Sequence, residues 1–181
     1  MELYKKTRPQ KLTEIIGQDD VVKKLRSFKR STLPHAMLFE GPSGVGKTTV
    51  ARILTKRLKT HEINIQEINS ADFRGIDMVR ELQETIFHKP LTGDTKVFII
   101  DECHQLTKPA QDAFLKVLEE TPEHAYIILC TTEATKLKKT LRTRCSVFNF
   151  KKISQNDLVK IVTKTFTEQR VLKVKNRTTC S

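Results

Sequence analysis

A glycine-rich segment at residues 41–48 constrains the fold of this chain more than any other feature of the sequence. It fits the G-x-x-x-x-G-K-[ST] pattern at every fixed position. Its residues are Gly41, Pro42, Ser43, Gly44, Val45, Gly46, Lys47 and Thr48. The apolar run at 35–40 predicts a buried strand before it, and the apolar spacing at 49–58 predicts a helix after it. Glycines in such a unit let backbone N–H groups turn toward phosphate oxygens. A glycine turn with a chance lysine is the alternative, and the flanking elements argue against it.

The polar residues at the end of this segment predict how a nucleotide is held. Lys47 is predicted to reach the β- and γ-phosphates and to take part in catalysis, and the Thr48 hydroxyl is predicted to bind Mg²⁺. Thr49, the next residue of the helix, completes the predicted site. We therefore expect a nucleoside triphosphate with Mg²⁺.

Two acidic residues, Asp101 and Glu102, follow a short apolar run at 97–100 that predicts another buried strand. Ligands of α/β sheets bind at the carboxyl ends of the strands, so both acids are expected beside the phosphate-binding loop. Asp101 is predicted to hold Mg²⁺ together with Thr48, and Glu102 to orient and deprotonate a water molecule. Strand-end acids without a catalytic role are the alternative. The pair favours nucleotide hydrolysis over a small-molecule kinase.

The composition is that of a soluble globular protein with an excess of positive charge. The chain has 181 residues, of which 38% are hydrophobic and 30% charged, with a net charge of +12 and a pI of about 9.7. DNA or RNA as a partner explains this charge most simply, and solvated lysine-rich helices or a generally basic proteome are the alternatives. Because no apolar run is long enough for a membrane span and no signal peptide is evident, we expect a cytoplasmic protein.

The cysteines are spread along the chain without a C-x-x-C pair. Neither zinc nor a disulfide framework is therefore expected. Those in or beside predicted strands are expected to act as small buried hydrophobes.

Predicted strands and helices alternate through residue 150. Strands are expected at 35–40, 63–69, 96–101, 125–130 and 146–150, and helices at 18–29, 49–58, 76–87 and 108–121. This alternation predicts an α/β fold with a mainly parallel sheet in a three-layer αβα arrangement. Beyond residue 150 we expect one helix at 156–167, capped by Ser154, and then a basic segment without defined structure.

Several short motifs follow one another in a specific order. They are Arg8-Pro9, Ile16-Gly17-Gln18, the phosphate-binding loop, residues 68–72, Asp101-Glu102-Cys103-His104, Thr131-Thr132 and Thr143-Arg144-Cys145. This order resembles that of clamp-loader ATPases of the AAA+ superfamily. Residues 96–145 look most like the gamma/tau subunit of bacterial DNA polymerase III, and residues 67–80 look more like the small subunit of replication factor C. The resemblance implies a P-loop NTPase that uses ATP and Mg²⁺.

The resemblance also implies roles for residues outside the loop. Arg144 would be an arginine finger that reaches the ATP site of a neighbouring subunit. Thr132, with Thr131 as the alternative, would sense the γ-phosphate or the lytic water. Contacts with adenine would come from Ile15, Ile16 and Gly17. Taken alone, Arg144 is a basic loop residue and a strand-end threonine is a β-former.

The sequence departs from this family in three ways. It lacks the four-cysteine zinc module, it has only part of the helical lid, and it has no counterpart of the collar domain. We therefore expect an AAA+ nucleotide-binding domain at 1–150 and a partial helical lid at 151–181. A compact viral variant, which would act in the host cytoplasm, and a truncated product are both open.

Together these features predict an ATP-hydrolysing clamp-loader subunit that places a sliding clamp on primed DNA. The expected partners are other clamp-loader subunits or copies of the chain, the clamp and the DNA, with no membrane. Contacts with the DNA backbone are expected from basic residues near helix N-termini, and ordinary surface charge is the alternative. The candidates are Arg74, Arg80 and Lys108.

Two other functions remain open at this point. The chain would serve as a nucleotide-locked adaptor if it bound ATP without turnover. It would be another AAA+ DNA-remodelling ATPase, such as a branch-migration helicase, if it acted on DNA directly. Thr143-Arg144-Cys145 and the helix near residue 114 argue against the helicase.

Overall fold

A parallel sheet forms the centre of the computed structural model, which describes residues 8–72 and 75–178, with side chains as far as residue 167. Its strands are β1 (Ala36–Glu40), β2 (Ile65–Asn69), β3 (Lys96–Asp101), β4 (Ala125–Thr131) and β5 (Ser146–Asn149). They lie in the order β2-β3-β4-β1-β5. Every neighbouring pair is parallel, so all the carboxyl ends meet at one edge of the sheet.

Helices connect the strands and cover the sheet. They are α1 (Asp19–Ser27), α2 (Lys47–Arg57), α3 (Ile76–Phe87), α4 (Lys108–Glu119), α5 (Lys139–Thr143) and α6 (Gln155–Thr178). Side chains cap the starts of two helices: Thr107 accepts from the Ala110 N–H at the start of α4, and Ser154, the predicted cap, accepts through Oγ from the Asp157 N–H 3.1 Å away.

Two apolar layers result from the alternation of side chains along the buried strands. On one face, Leu25 of α1 and Leu54 of α2 pack in the same cluster as Phe39 of β1. On the other face, Leu82 of α3 and Phe114 of α4 pack against β3 and β4. Both β3 and β4 are buried along nearly their whole length. The predicted three-layer αβα fold is confirmed.

Close backbone contacts anchor the segment that follows β1. The Gly41 N–H donates to the Thr131 carbonyl across 3.2 Å. A Cβ at Gly41 would lie 2.3 Å from the carbonyl oxygen of Phe150, so only glycine fits there. Nearby, the buried Gln18 side chain accepts from the Lys151 N–H and donates to the Lys151 carbonyl, at 3.0 and 2.7 Å. Three distant parts of the chain thus meet at this loop.

Apart from shifts of one or two residues at other element ends, the structure differs from the prediction in three places. Strand β2 begins at Ile65 because Glu62–Asn64 form a single 3₁₀ turn. Helix α5 was not predicted, since five residues are too few to display a helical period. Helix α6 continues to Thr178, where an unstructured segment was predicted. Its straight-chain residues have good helix propensity, which the prediction underestimated.

The described part of α6 contributes no fully buried side chain. None of residues 155–167 is buried, and Leu158, Val159, Val162 and Phe166 are exposed apolar residues. Within the part of the chain that the structure describes, no helix is both long and apolar enough to cross a bilayer.

Candidate nucleotide-binding and catalytic site

The glycine-rich loop lies between the end of β1 and the start of α2, at the carboxyl edge of the sheet. Gly44 and Gly46 have φ values of +73° and +99°, and nothing lies within 4 Å of the position that a Cβ would take on either residue. Gly46 is the residue before the first turn of α2, so the free N–H groups of that turn and the positive end of the helix adjoin the loop. This open arrangement of amides fits a phosphate group.

Lys47 is folded back over the loop. Its Nζ donates to the carbonyls of Gly41 and Pro42, at 2.7 Å each, and the residue is only 6% exposed. Burial lowers the pKa of Lys47, and the carboxylate of Glu102 acts in the opposite direction. The Lys47 ammonium group is therefore poorly solvated, and an anion in the loop would offset that cost.

Thr48 and Asp101 meet although they lie on different elements. The Thr48 hydroxyl, on the first turn of α2, donates to Asp101 Oδ2 across 2.7 Å at the end of β3. A hydroxyl and a carboxylate are hard oxygen ligands of the kind that Mg²⁺ prefers. The two residues predicted to hold Mg²⁺ thus lie in contact and suit that ion.

Glu102 leaves the end of β3 in a left-handed backbone conformation, with φ 50° and ψ 40°. Its backbone N–H donates to Asp101 Oδ1 across 3.0 Å. Non-glycine residues occupy this region at a cost and often do so at functional sites. The conformation turns the Glu102 side chain toward the end of β4, where the Thr132 hydroxyl donates to Glu102 Oε2 across 3.2 Å.

Thr131 and Thr132 have different surroundings. Thr131 is fully buried as the last residue of β4, and its Oγ1 accepts from the Glu133 N–H across 3.0 Å. Of the two predicted sensor residues, Thr132 is therefore the one that contacts Glu102.

Arg144 lies just past α5, and its guanidinium group is turned toward the C-terminal end of α4. Nε lies 2.8 Å from Glu119 Oε1, and Nη2 contacts the same oxygen. Arg142, two residues earlier, instead pairs with Glu40 at the end of β1, at 3.1 Å. The ion-pair partner of Arg144 thus lies outside the phosphate-binding loop and is neither Asp101 nor Glu102.

A cavity of about 370 Å³ adjoins the glycine-rich loop. Ile15 and Ile16, two of the residues predicted to contact adenine, line it together with Pro9, Thr49 and Lys164 from other parts of the chain. Gly17 is not among its lining residues. It lines a smaller cavity, and a Cβ at this position would lie 3.4 Å from atoms of Ile153 and Asp157. Contact of Gly17 with the base stays a prediction.

The structure describes two of the three residues predicted to contact DNA. Arg80 is exposed on α3 and forms an ion pair with Asp77 at 3.3 Å. Lys108 is exposed as the first residue of α4. Arg74 lies outside the described residues. Contact with DNA stays a prediction for all three.

Residues 63–154, a little over half of the chain, match the model of the family described as DNA polymerase III, delta subunit. The chain belongs to this family. The resemblance to AAA+ clamp-loader ATPases is thereby confirmed, although the matched family is described by the delta rather than the gamma/tau subunit.

Proteins similar to this family member are named as gamma or tau subunits of DNA polymerase III. The gamma/tau subunit of DNA polymerase III from Mycoplasma pneumoniae is 35% identical over 178 residues, covering 87% of this chain and 26% of that protein. The tau subunit from Bacillus subtilis is 34% identical, covering 87% and 32%. The gamma subunit from Buchnera aphidicola is 36% identical, covering 86% and 49%. The chain thus spans half or less of the length of these relatives.

Solved structures agree on the fold. The RuvB Holliday junction branch migration motor of Thermotoga maritima superposes with a TM-score of 0.71 at 26% identity, covering 87% of this chain and 53% of that one. A DNA polymerase III gamma-subunit-related protein from the same organism has a TM-score of 0.61 at 22% identity, covering 77% and 47%. The AAA+ fold of P-loop NTPases is confirmed for this family member. No comparison tests the predicted likeness to replication factor C.

The sequence analysis predicted no role for two residues that contact the predicted site residues, Glu119 and His104. Glu119 gave no signal, because its contact with Arg144 joins elements that are 25 positions apart. His104 was visible only as part of Asp101-Glu102-Cys103-His104. Its side chain lies between Glu102 and Glu133, and only the turn at Cys103–Gln105 brings it there.

Proposed function

We propose that this protein binds and hydrolyses ATP as a subunit of a clamp loader in DNA replication. The observation that carries the proposal is the convergence of Thr48, Asp101 and Glu102 beside an open loop of amides. The gamma and tau relatives support the replication role at the level of the family. The sliding clamp, primed DNA and other subunits or copies of this chain are the proposed partners, in the cytoplasm.

The residues of the loop and the acidic pair would divide the chemistry. Backbone amides of residues 41–48 and Lys47 would bind the triphosphate, and Thr48 with Asp101 would hold Mg²⁺, which polarises phosphate oxygens when it is bound. Glu102 would accept a proton from water as the water oxygen bonds to the γ-phosphorus. The bond from that phosphorus to the bridging oxygen breaks, so ADP and phosphate leave.

Thr132 and Arg144 would act at two different sites. Thr132 contacts Glu102 in its own chain, which supports a role near the attacking water. Arg144 pairs with the C-terminal end of α4 and is 36% exposed in its side chain. That exposure supports action on a neighbouring subunit, where it would neutralise charge that develops on the γ-phosphate.

We also propose a division of the chain at residue 150. Residues 1–150 would form the nucleotide-binding domain, and 151–181 part of a helical lid. The support is that α6 contributes no buried side chain through residue 167, whereas Ile161 and Lys164 line the cavity beside the loop. Zinc is not proposed for any step.

The decisive experiment measures ATP hydrolysis by the full chain with and without primed DNA and a bacterial sliding clamp. Stimulation by both ligands is expected, with turnover reduced to a low but measurable residual rate in Glu102→Gln. A chain that binds ATP but gives the same low turnover as Glu102→Gln under every condition would instead be an adaptor. The internal partners of Lys47 and Arg144 are the observation that favours this second function.

Similarity to RuvB supports a branch-migration helicase as a further alternative. Four-way junction DNA separates the two motors, because a helicase would be stimulated by the junction and not by the clamp. Stimulation by the clamp on primed DNA alone is the result that favours the clamp loader.

A further inference from the structure

His104 is a buried titratable side chain to which the chemistry above gives no part. It lies in the turn Cys103–Gln105, directly after the acidic pair, and its side chain is 4% exposed. Nδ1 lies 3.3 Å from Glu102 Oε2 and 3.2 Å from Thr131 Oγ1. Nε2 lies 3.4 Å from Glu133 Oε1 on the opposite side of the ring. The imidazole thus separates two carboxylates.

The contacts of the ring indicate where its proton lies. A carboxylate only accepts hydrogen bonds, so the nitrogen that faces Glu102 is favoured to carry a proton. Gln105 Nε2, an amide donor, lies 3.1 Å from His104 Nε2, which suits an unprotonated nitrogen there. A tautomer with its proton on Nδ1 therefore suits Glu102 and Gln105, and it leaves the more distant Glu133 Oε1 without a hydrogen bond from the ring.

The two contacts on the Glu102 carboxylate fall on the same oxygen. Oε2 receives the Thr132 hydroxyl and faces His104 Nδ1. Within the described part of the chain, no residue makes a hydrogen bond or ion pair with Oε1 of Glu102. One carboxylate oxygen is thus restrained by protein, and the other is free to face a water molecule.

We propose that His104 is a positioning residue for Glu102, which holds Oε2 so that Oε1 points at the attacking water. This inference rests on the proposed hydrolysis. Because Glu102 also has a left-handed backbone, its side chain leaves β3 in an unusual direction. A rigid, buried neighbour then limits the rotamers that remain. His104 also contacts Thr131, which precedes Thr132, so it joins both strand ends that carry the water-activating groups.

Two substitutions separate the nitrogens of His104. The amide nitrogen of asparagine takes a place close to that of Nδ1, and the amide nitrogen of glutamine a place close to that of Nε2. His104→Asn therefore keeps the donor toward Glu102, whereas His104→Gln moves it toward Glu133. His104→Asn is expected to hold kcat near the wild-type value. His104→Gln and His104→Ala are expected to lower kcat about a hundredfold through misplacement of Glu102, with KM and ATP affinity unchanged.

A double-mutant cycle shows whether His104 acts through Glu102. His104→Ala is measured alone and in the Glu102→Gln background, where it should lower kcat no further. If His104 had only a structural role, His104→Ala would lower kcat by the same factor in both backgrounds and would also lower the midpoint of thermal unfolding. Equal kcat values for His104→Asn and His104→Gln would overturn the proposal.

A measurement without nucleotide tests the contact between His104 and Glu102 independently of hydrolysis. Urea unfolding of wild type, His104→Ala, Glu102→Gln and the double variant gives the coupling between the two side chains. Coupling that survives in His104→Asn and disappears in His104→Gln is expected. If the chain hydrolyses no ATP, the proposed function fails, yet this coupling still supports the contact between His104 and Glu102. Additive unfolding energies would overturn that contact.

Discussion

Arg144 and Glu119 form an ion pair in which Nε of the arginine lies 2.8 Å from Oε1 of the glutamate. The pair joins the segment after α5 to the end of α4. Both side chains are substantially exposed, at 36% and 50%, and exposed pairs of this kind contribute only about 0–1 kcal/mol. The ion pair therefore restrains Arg144 only weakly, and another anionic group could replace Glu119 at little cost in free energy.

Replacing Arg144 tests its action on a neighbouring subunit. Arg144→Ala should leave the affinity for ATP within about twofold of wild type and reduce hydrolysis about a thousandfold, because an arginine finger stabilises charge in the transition state. Equilibrium binding of a fluorescent ATP analogue and steady-state hydrolysis measure the two effects. Lys139→Ala, which removes an exposed positive charge from α5, is the matched control. Unchanged hydrolysis by Arg144→Ala would contradict the assignment.

Replacing Glu119 tests whether the ion pair acts as a lock. Glu119→Gln should change the free energy of unfolding by no more than about 1 kcal/mol, since the pair is exposed. Urea denaturation provides the measurement. A loss of several kcal/mol would mean that Arg144 is not readily released.

The contact between Thr48 and Asp101 makes a prediction about Mg²⁺. Thr48→Val removes the hydroxyl but keeps the branched shape, and it should weaken Mg²⁺-dependent ATP binding about tenfold or more. Thr48→Ser keeps the hydroxyl and should bind as wild type does. Calorimetric titration with ATP, with and without Mg²⁺, measures the difference. Equal affinities for Thr48→Val and Thr48→Ser in Mg²⁺ would exclude Thr48 as a ligand.

Gly41 and Gly44 are expected to tolerate alanine to different degrees. A Cβ at Gly41 would lie 2.3 Å from a backbone oxygen, whereas one at Gly44 would meet nothing within 4 Å. Gly41→Ala should therefore lower the free energy of unfolding by about 3 kcal/mol or more, from overpacking and backbone strain together. Gly44→Ala, with a positive φ alone, should lower it by about 1 kcal/mol. If urea unfolding gave the two variants similar decreases in the free energy of unfolding, the close approach of Gly41 to the Phe150 carbonyl would be contradicted.

The buried cysteines are expected to be unreactive in the folded protein. Burial raises the pKa of Cys145 to about 12 and holds the pKa values of Cys103 and Cys130 well above the usual range. The fourth cysteine, Cys180, is replaced by serine so that only these three thiols remain. Since thiolates are the reactive species, this Cys180→Ser variant should not react with Ellman's reagent at pH 8 until urea unfolds it. Rapid reaction of the native variant would show that one of these thiols is accessible.

Local patterns made the fold and the main groups of the site predictable. The pattern at residues 41–48 and the apolar strand before Asp101 depend on neighbours in sequence, and they placed Thr48 and Asp101 at one edge of the sheet in advance. Helix α5 and the contact of Arg144 with Glu119 were not predictable. Each depends on packing between distant elements rather than on a repeating period.

The sequence by itself determined that a phosphate-binding loop and an acidic strand end lie on a parallel αβα sheet, because glycine conformations and apolar periodicity are properties of short segments. Only the tertiary structure decided the partners of the side chains at that edge. Contacts such as Thr132 with Glu102, and His104 between two carboxylates, depend on strand order and on one left-handed residue. Neither feature is encoded in any single segment of the chain.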